Sequence, residues 1–226
     1  KDDFSIDPSD YVGLDRAVVI ANPNAPTGLF LPVSDIEKIV AGNPDHVVLI
    51  DEAYVDFGGE SAISLTKAYD NLLVTQTYSK SRSMAGARLG YAIGSAELIA
   101  DLEKIRCSTN PYNVNRLTLA AGEAALRDEA YYAENARKIA KTREDTKAML
   151  RDMGFMVTDS LGNFLFAGHP DVSGEAFYRA FKEKGVLVRH FNAPRTKDYM
   201  RITVGSPEQM DILCRAAEAI LKEARA

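Results

Sequence analysis

One lysine in this sequence lies between two apolar runs that are typical of buried strands, where a plain connection would need only turn residues. This residue, Lys80, is preceded by the hydroxyl residues Thr77 and Ser79 and followed by Arg88. A lysine amine can form an imine with a carbonyl compound, while hydroxyls and a guanidinium can hold a phosphate. The stretch therefore predicts a site for a phosphorylated carbonyl compound.

Pyridoxal phosphate is the cofactor that needs both functions at once. Asp51 would pair with its pyridine nitrogen and keep that nitrogen protonated, which makes the ring an electron sink. Tyr54 would hydrogen-bond the ring's phenolic oxygen. Taken alone, Asp51 is more readily explained as a cap or turn residue, and Tyr54 could equally be a core residue. Arg82 competes with Arg88 for the phosphate. The argument for a site comes from all of these residues together.

Three polar motifs each follow a predicted strand: residues 22–28, 51–54 and 77–80. Open α/β sheets bind ligands at the carboxyl ends of their strands, so we expect the three motifs to meet at one edge. The strands are predicted at 17–21, 46–50, 72–75 and 89–94.

Strands alternating with helices predict an α/β fold with a mostly parallel sheet flanked by helices. Residues 1–128 would form part of a cofactor-binding large domain, with a first helix capped by Ser34 or Asp35 and ending at residue 41. A helix at 129–153 would bridge to a smaller α+β domain at 154–226. Further helices are predicted at 97–105, 115–127, 174–184 and 206–224, and further strands at 155–158, 163–167, 186–190 and 200–204.

Composition excludes several classes of function. The 226-residue chain carries a formal charge of −5, whereas a nucleic-acid-binding protein needs a basic face. No apolar run reaches the roughly 18 residues of a transmembrane helix. Cys107 and Cys214 are far apart in the sequence and fit neither a metal spacing nor a disulfide framework, so we expect a cytoplasmic protein. The three histidines lack metal-ligand spacing, and we predict no metal site.

Together the motifs resemble the pyridoxal-phosphate aminotransferases of fold type I, class I/II. The resemblance covers nearly the whole chain, and its most specific part is the lysine and arginine segment at 77–91. Pro-Tyr-Asn-Val-Asn and Gly-Asn-Phe-Leu-Phe point to the histidinol-phosphate branch of the family. The matching segments are 22–28, 51–54, 77–91, 111–115, 162–166 and 200–205.

The resemblance implies a role for each matching residue. Lys80 would be the Schiff-base lysine and would carry the proton between the substrate α-carbon and the cofactor, and Arg201 would clamp the substrate α-carboxylate. Asn163 and Arg189 lie where this branch reaches its substrate. The family usually has Asn where this chain has Ala25, so Asn24 is expected to contact the ring oxygen instead. The implied cofactor-binding set is Asn24, Asp51, Tyr54, Thr77, Ser79, Lys80 and Arg88.

The implied activity is transamination between an amino donor, histidinol phosphate, and a 2-oxo acid, 2-oxoglutarate, in histidine biosynthesis. The resemblance also implies that the full-length protein is a homodimer. Aromatic or aspartate aminotransferases and threonine-phosphate decarboxylase are alternatives of the same fold, and a non-catalytic regulatory module is a more distant one. Family members carry further residues before the first strand seen here. We therefore expect this sequence to be a fragment that binds the cofactor poorly by itself.

Overall fold

A computed structural model describes residues 1–225, which form two four-stranded sheets with six α-helices around them. In the first sheet β1 (Val18–Ala21), β2 (Val48–Asp51) and β3 (Leu72–Thr77) are parallel neighbours in that order. The fourth strand, β4 (Gly90–Ile93), pairs antiparallel with β3. The chain reaches β4 through the loop that contains Lys80, without the helical crossover that a parallel partner would need.

The first helix, α1 (Val33–Ala41), packs against this sheet through the buried side chains of Ile36, Ile39 and Val40. The prediction that Ser34 or Asp35 caps it was wrong. Pro32 occupies the cap position and no side chain accepts a cap hydrogen bond there, while Asp35 pairs with Lys38 at 2.7 Å instead. The Pro32 carbonyl accepts the Asp35 and Ile36 amides at 2.9 and 3.1 Å, so the backbone closes the first turn without a side-chain cap.

Three helices connect the first sheet to the second. These are α2 (Ala96–Thr109), α3 (Arg116–Arg127) and the long α4 (Glu129–Asp152). The break between the helices predicted at 97–105 and 115–127 is present, although α2 continues to Thr109. The two sheets have separate apolar cores, but the division into domains at 128 and 153 stays a prediction.

The second sheet is antiparallel, with strand order β5–β6–β8–β7. One of its faces packs on helices through Leu165, Met200 and Ile202, while Phe164 and Arg201 belong to the opposite face by alternation. The strand predicted at 186–190 is only two residues long. The elements are β5 (Met156–Val157), β6 (Phe164–Gly168), α5 (Gly174–Glu183), β7 (Arg189–His190), β8 (Tyr199–Thr203) and α6 (Pro207–Arg225). The mostly parallel α/β sheet with a smaller α+β unit is thereby confirmed.

The loop after β1 docks onto the second half of the chain. Gly28 accepts a hydrogen bond from the Leu161 amide at 2.9 Å, and the Thr158 hydroxyl donates to the Thr27 carbonyl at 2.6 Å. Gly28 has φ +74, and a Cβ there would lie 2.0 Å from Ser160 Oγ, so only glycine permits this approach. None of the helices within residues 1–225 combines the length and apolar character that a bilayer-spanning segment needs.

Candidate active site

Lys80 lies in the β3–β4 loop with its amine 5.3 Å from the centroid of the Tyr54 ring. Hydrogen bonds within the loop hold its shape: the Ser83 amide donates to the Lys80 carbonyl at 3.1 Å, and the Ser79 amide donates to the Thr77 hydroxyl at 3.0 Å. Lys80 is exposed and Tyr54 is half-buried. The side chain is therefore accessible to a ligand while the turn that presents it is fixed.

A row of contacts leads from Lys80 into the second sheet. The Tyr54 ring meets Phe164 edge to face at 5.0 Å between centroids. The Arg201 guanidinium lies over the Phe164 ring, 5.3 Å from the ring centroid and within cation–π range. An amine from one sheet and a guanidinium from the other thus share one aromatic row. The sequence predicted Lys80, Tyr54 and Arg201 separately, but Phe164 as their link was missed.

Asp51 and Asn24 lie at the carboxyl edge of the first sheet. Asp51 ends β2, opposite Thr75 of β3, and its backbone carbonyl accepts a hydrogen bond from the Asn22 amide at 2.8 Å. The Asp51 side chain is exposed, and one of its oxygens accepts the Ala53 amide at 3.1 Å. Asn24 accepts the Thr27 hydroxyl through its amide oxygen at 2.9 Å, which leaves its amide nitrogen to donate.

Two arginines near Lys80 differ in how their guanidinium groups are used. Arg82 donates to the Ala125 carbonyl at 3.2 Å and lies 5.0 Å from the Tyr132 ring centroid, so it packs against α3 and α4. Arg88 is exposed, and within residues 1–225 its guanidinium donates to the Ala85 carbonyl of its own turn at 3.1 Å. Its backbone is left-handed at φ 53, a strained conformation that is common at ligand sites. Of the two arginines, Arg88 therefore has the guanidinium that is more available to bind a phosphate.

Arg189 and Arg201 are direct partners across the β7–β8 pair. Side chains in such pairs lie on the same face of the sheet, so the two guanidinium groups share the face that carries Phe164. Like charges placed opposite each other repel, and an anion between them removes that cost. Asn163 lies immediately before β6, and its backbone carbonyl is held by a hydrogen bond from the Val204 amide at 2.9 Å.

A buried carboxylate beside Asp51 was not found from the sequence. Glu52 is 2% exposed and accepts hydrogen bonds from Ser61 Oγ at 2.5 Å, the Ala62 amide at 2.7 Å and Gln76 at 2.8 Å. Gln76 in turn accepts the Tyr91 hydroxyl. Burial, and then the Asp56 carboxylate, raise the pKa of Tyr91, so this hydroxyl keeps its proton and donates. The one signal for Glu52 in the sequence was its position inside the motif at 51–54, directly after a predicted buried strand.

Replacing Glu52 with Gln should destabilise the protein by about 2 kcal/mol, because an NH₂ group would face donors that now share a buried carboxylate. The free energy of unfolding from urea titration would measure this. Glu60→Gln is a matched control, since Glu60 is exposed and nearby, and it should change stability by less than about 0.5 kcal/mol. Equal effects of the two variants would contradict the role given to Glu52.

Comparison with known proteins supplies the family. The histidinol-phosphate aminotransferase of Brachyspira hyodysenteriae is 49% identical over 98% of this chain, and that of Marinomonas sp. is 51% identical over 97%. The chain spans 63% of the length of each. The histidinol-phosphate aminotransferase of Sinorhizobium meliloti, solved in complex with pyridoxal-5'-phosphate, superimposes with a TM-score of 0.81 at 25% identity, over 92% of this chain and 57% of that one.

The family described as aminotransferase class I and II matches residues 2–216, which is almost the whole chain. The motifs at the carboxyl edge of the first sheet and the arginine of β8 both fall within that match. The chain belongs to the class I and II aminotransferases.

Proposed function

We propose that the protein is a pyridoxal-phosphate-dependent aminotransferase that exchanges the amino group between histidinol phosphate and 2-oxoglutarate. The observation that carries this proposal is the row of contacts from Lys80 through Tyr54 and Phe164 to Arg201. It joins an amine that can bind a carbonyl compound to a guanidinium that can bind a carboxylate. The two relatives described above, which match nearly all of this chain, are both named histidinol-phosphate aminotransferase.

The residues present fit the cofactor by the chemistry of their donor set. Lys80 offers an exposed amine, Asp51 a carboxylate at the sheet edge, and Asn24 an amide nitrogen to donate. Thr77 and Ser79 lie on the loop beside the lysine, and Arg88 has the freer guanidinium for the phosphate. When bound, pyridoxal phosphate supplies the electron sink for the electron pair left on a substrate carbon that loses its proton.

Each of these side chains has a distinct task in the proposed reaction. Lys80 would hold the cofactor covalently, and its free amine would move a proton from the substrate carbon to the cofactor's C4′. Asp51 keeps the proton on the pyridine nitrogen. Tyr54 and Asn24 donate hydrogen bonds to the phenolic oxygen. Thr77, Ser79 and Arg88 hold the phosphate.

The paired arginines support a substrate with an anionic end. Arg201 would hold the carboxylate of glutamate or 2-oxoglutarate in one half-reaction. Histidinol phosphate has no α-carboxylate, so Arg201 and Arg189 would hold its phosphate in the other, and their cross-strand register places both on one face. Asn163, beside Phe164, would contact the substrate from the same edge.

Assembly and location are parts of the same proposal. Leu119 and Leu126 are exposed and lie seven residues apart on one face of α3, which supports a homodimer, because exposed apolar side chains on a shared face are typical of subunit contacts. Cys107 and Cys214 are both unpaired, which supports a reducing cytoplasm. Size-exclusion chromatography with light scattering of the full-length protein would test the dimer, and a monomer at micromolar concentration would contradict it.

A coupled assay for glutamate with the full-length protein tests the function. We expect turnover of histidinol phosphate with 2-oxoglutarate, and much slower turnover of aspartate or phenylalanine. Faster turnover of either amino acid would reassign the donor, and release of CO₂ from threonine phosphate would reassign the reaction. No turnover of any of these substrates by cofactor-loaded protein would reject the proposal.

Arg201→Lys should raise the KM for 2-oxoglutarate about 30-fold, because an ammonium loses the bidentate pairing with a carboxylate. Steady-state kinetics with varied 2-oxoglutarate would show it. Arg179→Lys, on an exposed ion pair with Glu175, is the matched control and should leave KM unchanged. An unaltered KM in the Arg201 variant would remove this arginine from the substrate site.

A further inference from the structure

Arg143 is a buried cation in the middle of α4, with only 3% of its surface exposed. One guanidinium nitrogen, Nη1, donates to the Phe57 carbonyl at 2.9 Å and to the Gly162 carbonyl at 2.8 Å. Its Nε donates to the Glu144 carboxylate at 3.0 Å. A charge buried to this extent is costly unless its donors are satisfied, so both carbonyls must stay in place around it.

The two carbonyls belong to turns on opposite sides of the proposed site. Phe57 closes the short helical turn that begins next to Tyr54. Gly162 comes shortly before Phe164, the first residue of β6. Arg143 therefore ties the turn that carries Tyr54 to the turn that carries Phe164, and the contact between those two rings is the one that leads from Lys80 to Arg201.

We propose that Arg143 is a positioning residue that sets the placement of Arg201 relative to Lys80, and thereby the binding of the substrate carboxylate. The inference rests on the function proposed above for Lys80 and Arg201. Arg143 touches neither substrate nor cofactor in this scheme. Its planar guanidinium acts by fixing two backbone carbonyls, which a methionine of similar length cannot do and a lysine can do only partly.

A purely structural role for Arg143 is the competing interpretation. Loss of the guanidinium would then lower stability and leave the kinetics of the folded protein unchanged. A positioning role predicts instead a rise in the KM for the substrate that Arg201 holds, larger than any change in cofactor affinity that arises through Tyr54. The two interpretations differ further when Arg201 is itself replaced, because a residue that acts through Arg201 has nothing left to position.

The test compares Arg143→Met, Arg143→Lys and Arg137→Met in the full-length protein; Arg137 is an exposed residue of the same helix. We expect Arg143→Met to raise the KM for 2-oxoglutarate roughly tenfold, within the range of coupling through packed contacts, Arg143→Lys to recover part of that loss, and Arg137→Met to have no effect. In an Arg201→Lys background, Arg143→Met should add little. Unchanged KM, or full additivity of the two substitutions, would overturn the proposal.

A second measurement does not depend on the cofactor or on activity. The Leu161 amide donates to Gly28 across the same junction, so its hydrogen exchange reports whether the two halves stay docked. In cofactor-free protein we expect exchange of this amide to speed up at least tenfold in Arg143→Met and to stay at the native rate in Arg137→Met. Native exchange in Arg143→Met would overturn the link.

If the wild type lacks transaminase activity but the exchange result holds, the proposed function fails while the tie between the turns stands. Should Arg143→Met not fold, Arg143→Lys carries both measurements.

Discussion

Lys80→Ala is expected to reduce transamination by about a thousandfold or more while leaving the fold intact. The substitution removes the covalent attachment point and the proton carrier together, and general acid–base groups alone contribute 10²–10⁴-fold. Because Lys80 is exposed and its loop is held by backbone hydrogen bonds, stability should change by less than about 0.5 kcal/mol. Single-turnover kinetics on cofactor-loaded protein would measure the loss.

Two controls make the Lys80 result specific. Lys67→Ala removes another exposed lysine from the same half of the chain and should leave turnover unchanged. A small amine such as methylamine, added to Lys80→Ala, should restore part of the rate, because it supplies the missing proton acceptor from solution. Wild-type turnover by Lys80→Ala would show that the chemistry is carried out elsewhere in the protein.

The strands of the first sheet could be predicted because they are short apolar runs followed by turn residues. Their parallel order followed from the alternation with helices. The antiparallel direction of β4 could not be predicted, since it depends on the 78–89 loop folding back without a crossover helix. The short length of β7 could not be predicted either, because its two paired residues, Arg189 and His190, lie at the end of a longer apolar run.

The site was accessible from the sequence only where its residues lie within motifs. Lys80, Asp51 and Arg88 lie in short segments whose residue types suggest their chemistry. The ties between those segments depend on contacts across long stretches of chain. Arg143 and Phe57 are separated by 86 residues, and the Tyr54–Phe164 contact spans the two sheets. No local pattern encodes such a contact, and for this reason Arg143, Glu52 and the linking role of Phe164 appeared only in the structure.

Asp51→Ala should lower kcat by about 10²–10³-fold, the usual loss when one preorganised charge that stabilises developing charge is removed. The Asp51 carboxylate holds the proton on the pyridine nitrogen, and without it the ring accepts an electron pair less readily. Since Asp51 is exposed at the end of β2, we expect little change in stability. Asp45→Ala, at an exposed position before the same strand, is the control and should retain wild-type kcat.

A cofactor analogue with a methylated pyridine nitrogen provides the sharper test of Asp51. Its ring carries a permanent positive charge and no longer needs a carboxylate to hold a proton there. The analogue should therefore recover a substantial part of the rate in Asp51→Ala and should not improve the wild type. If Asp51→Ala loaded with the ordinary cofactor keeps wild-type kcat, or if the analogue fails to recover any rate in a variant that binds it, then Asp51 does not act on the ring nitrogen. In that case its place at the end of β2 reflects only the turn that it caps through the Ala53 amide.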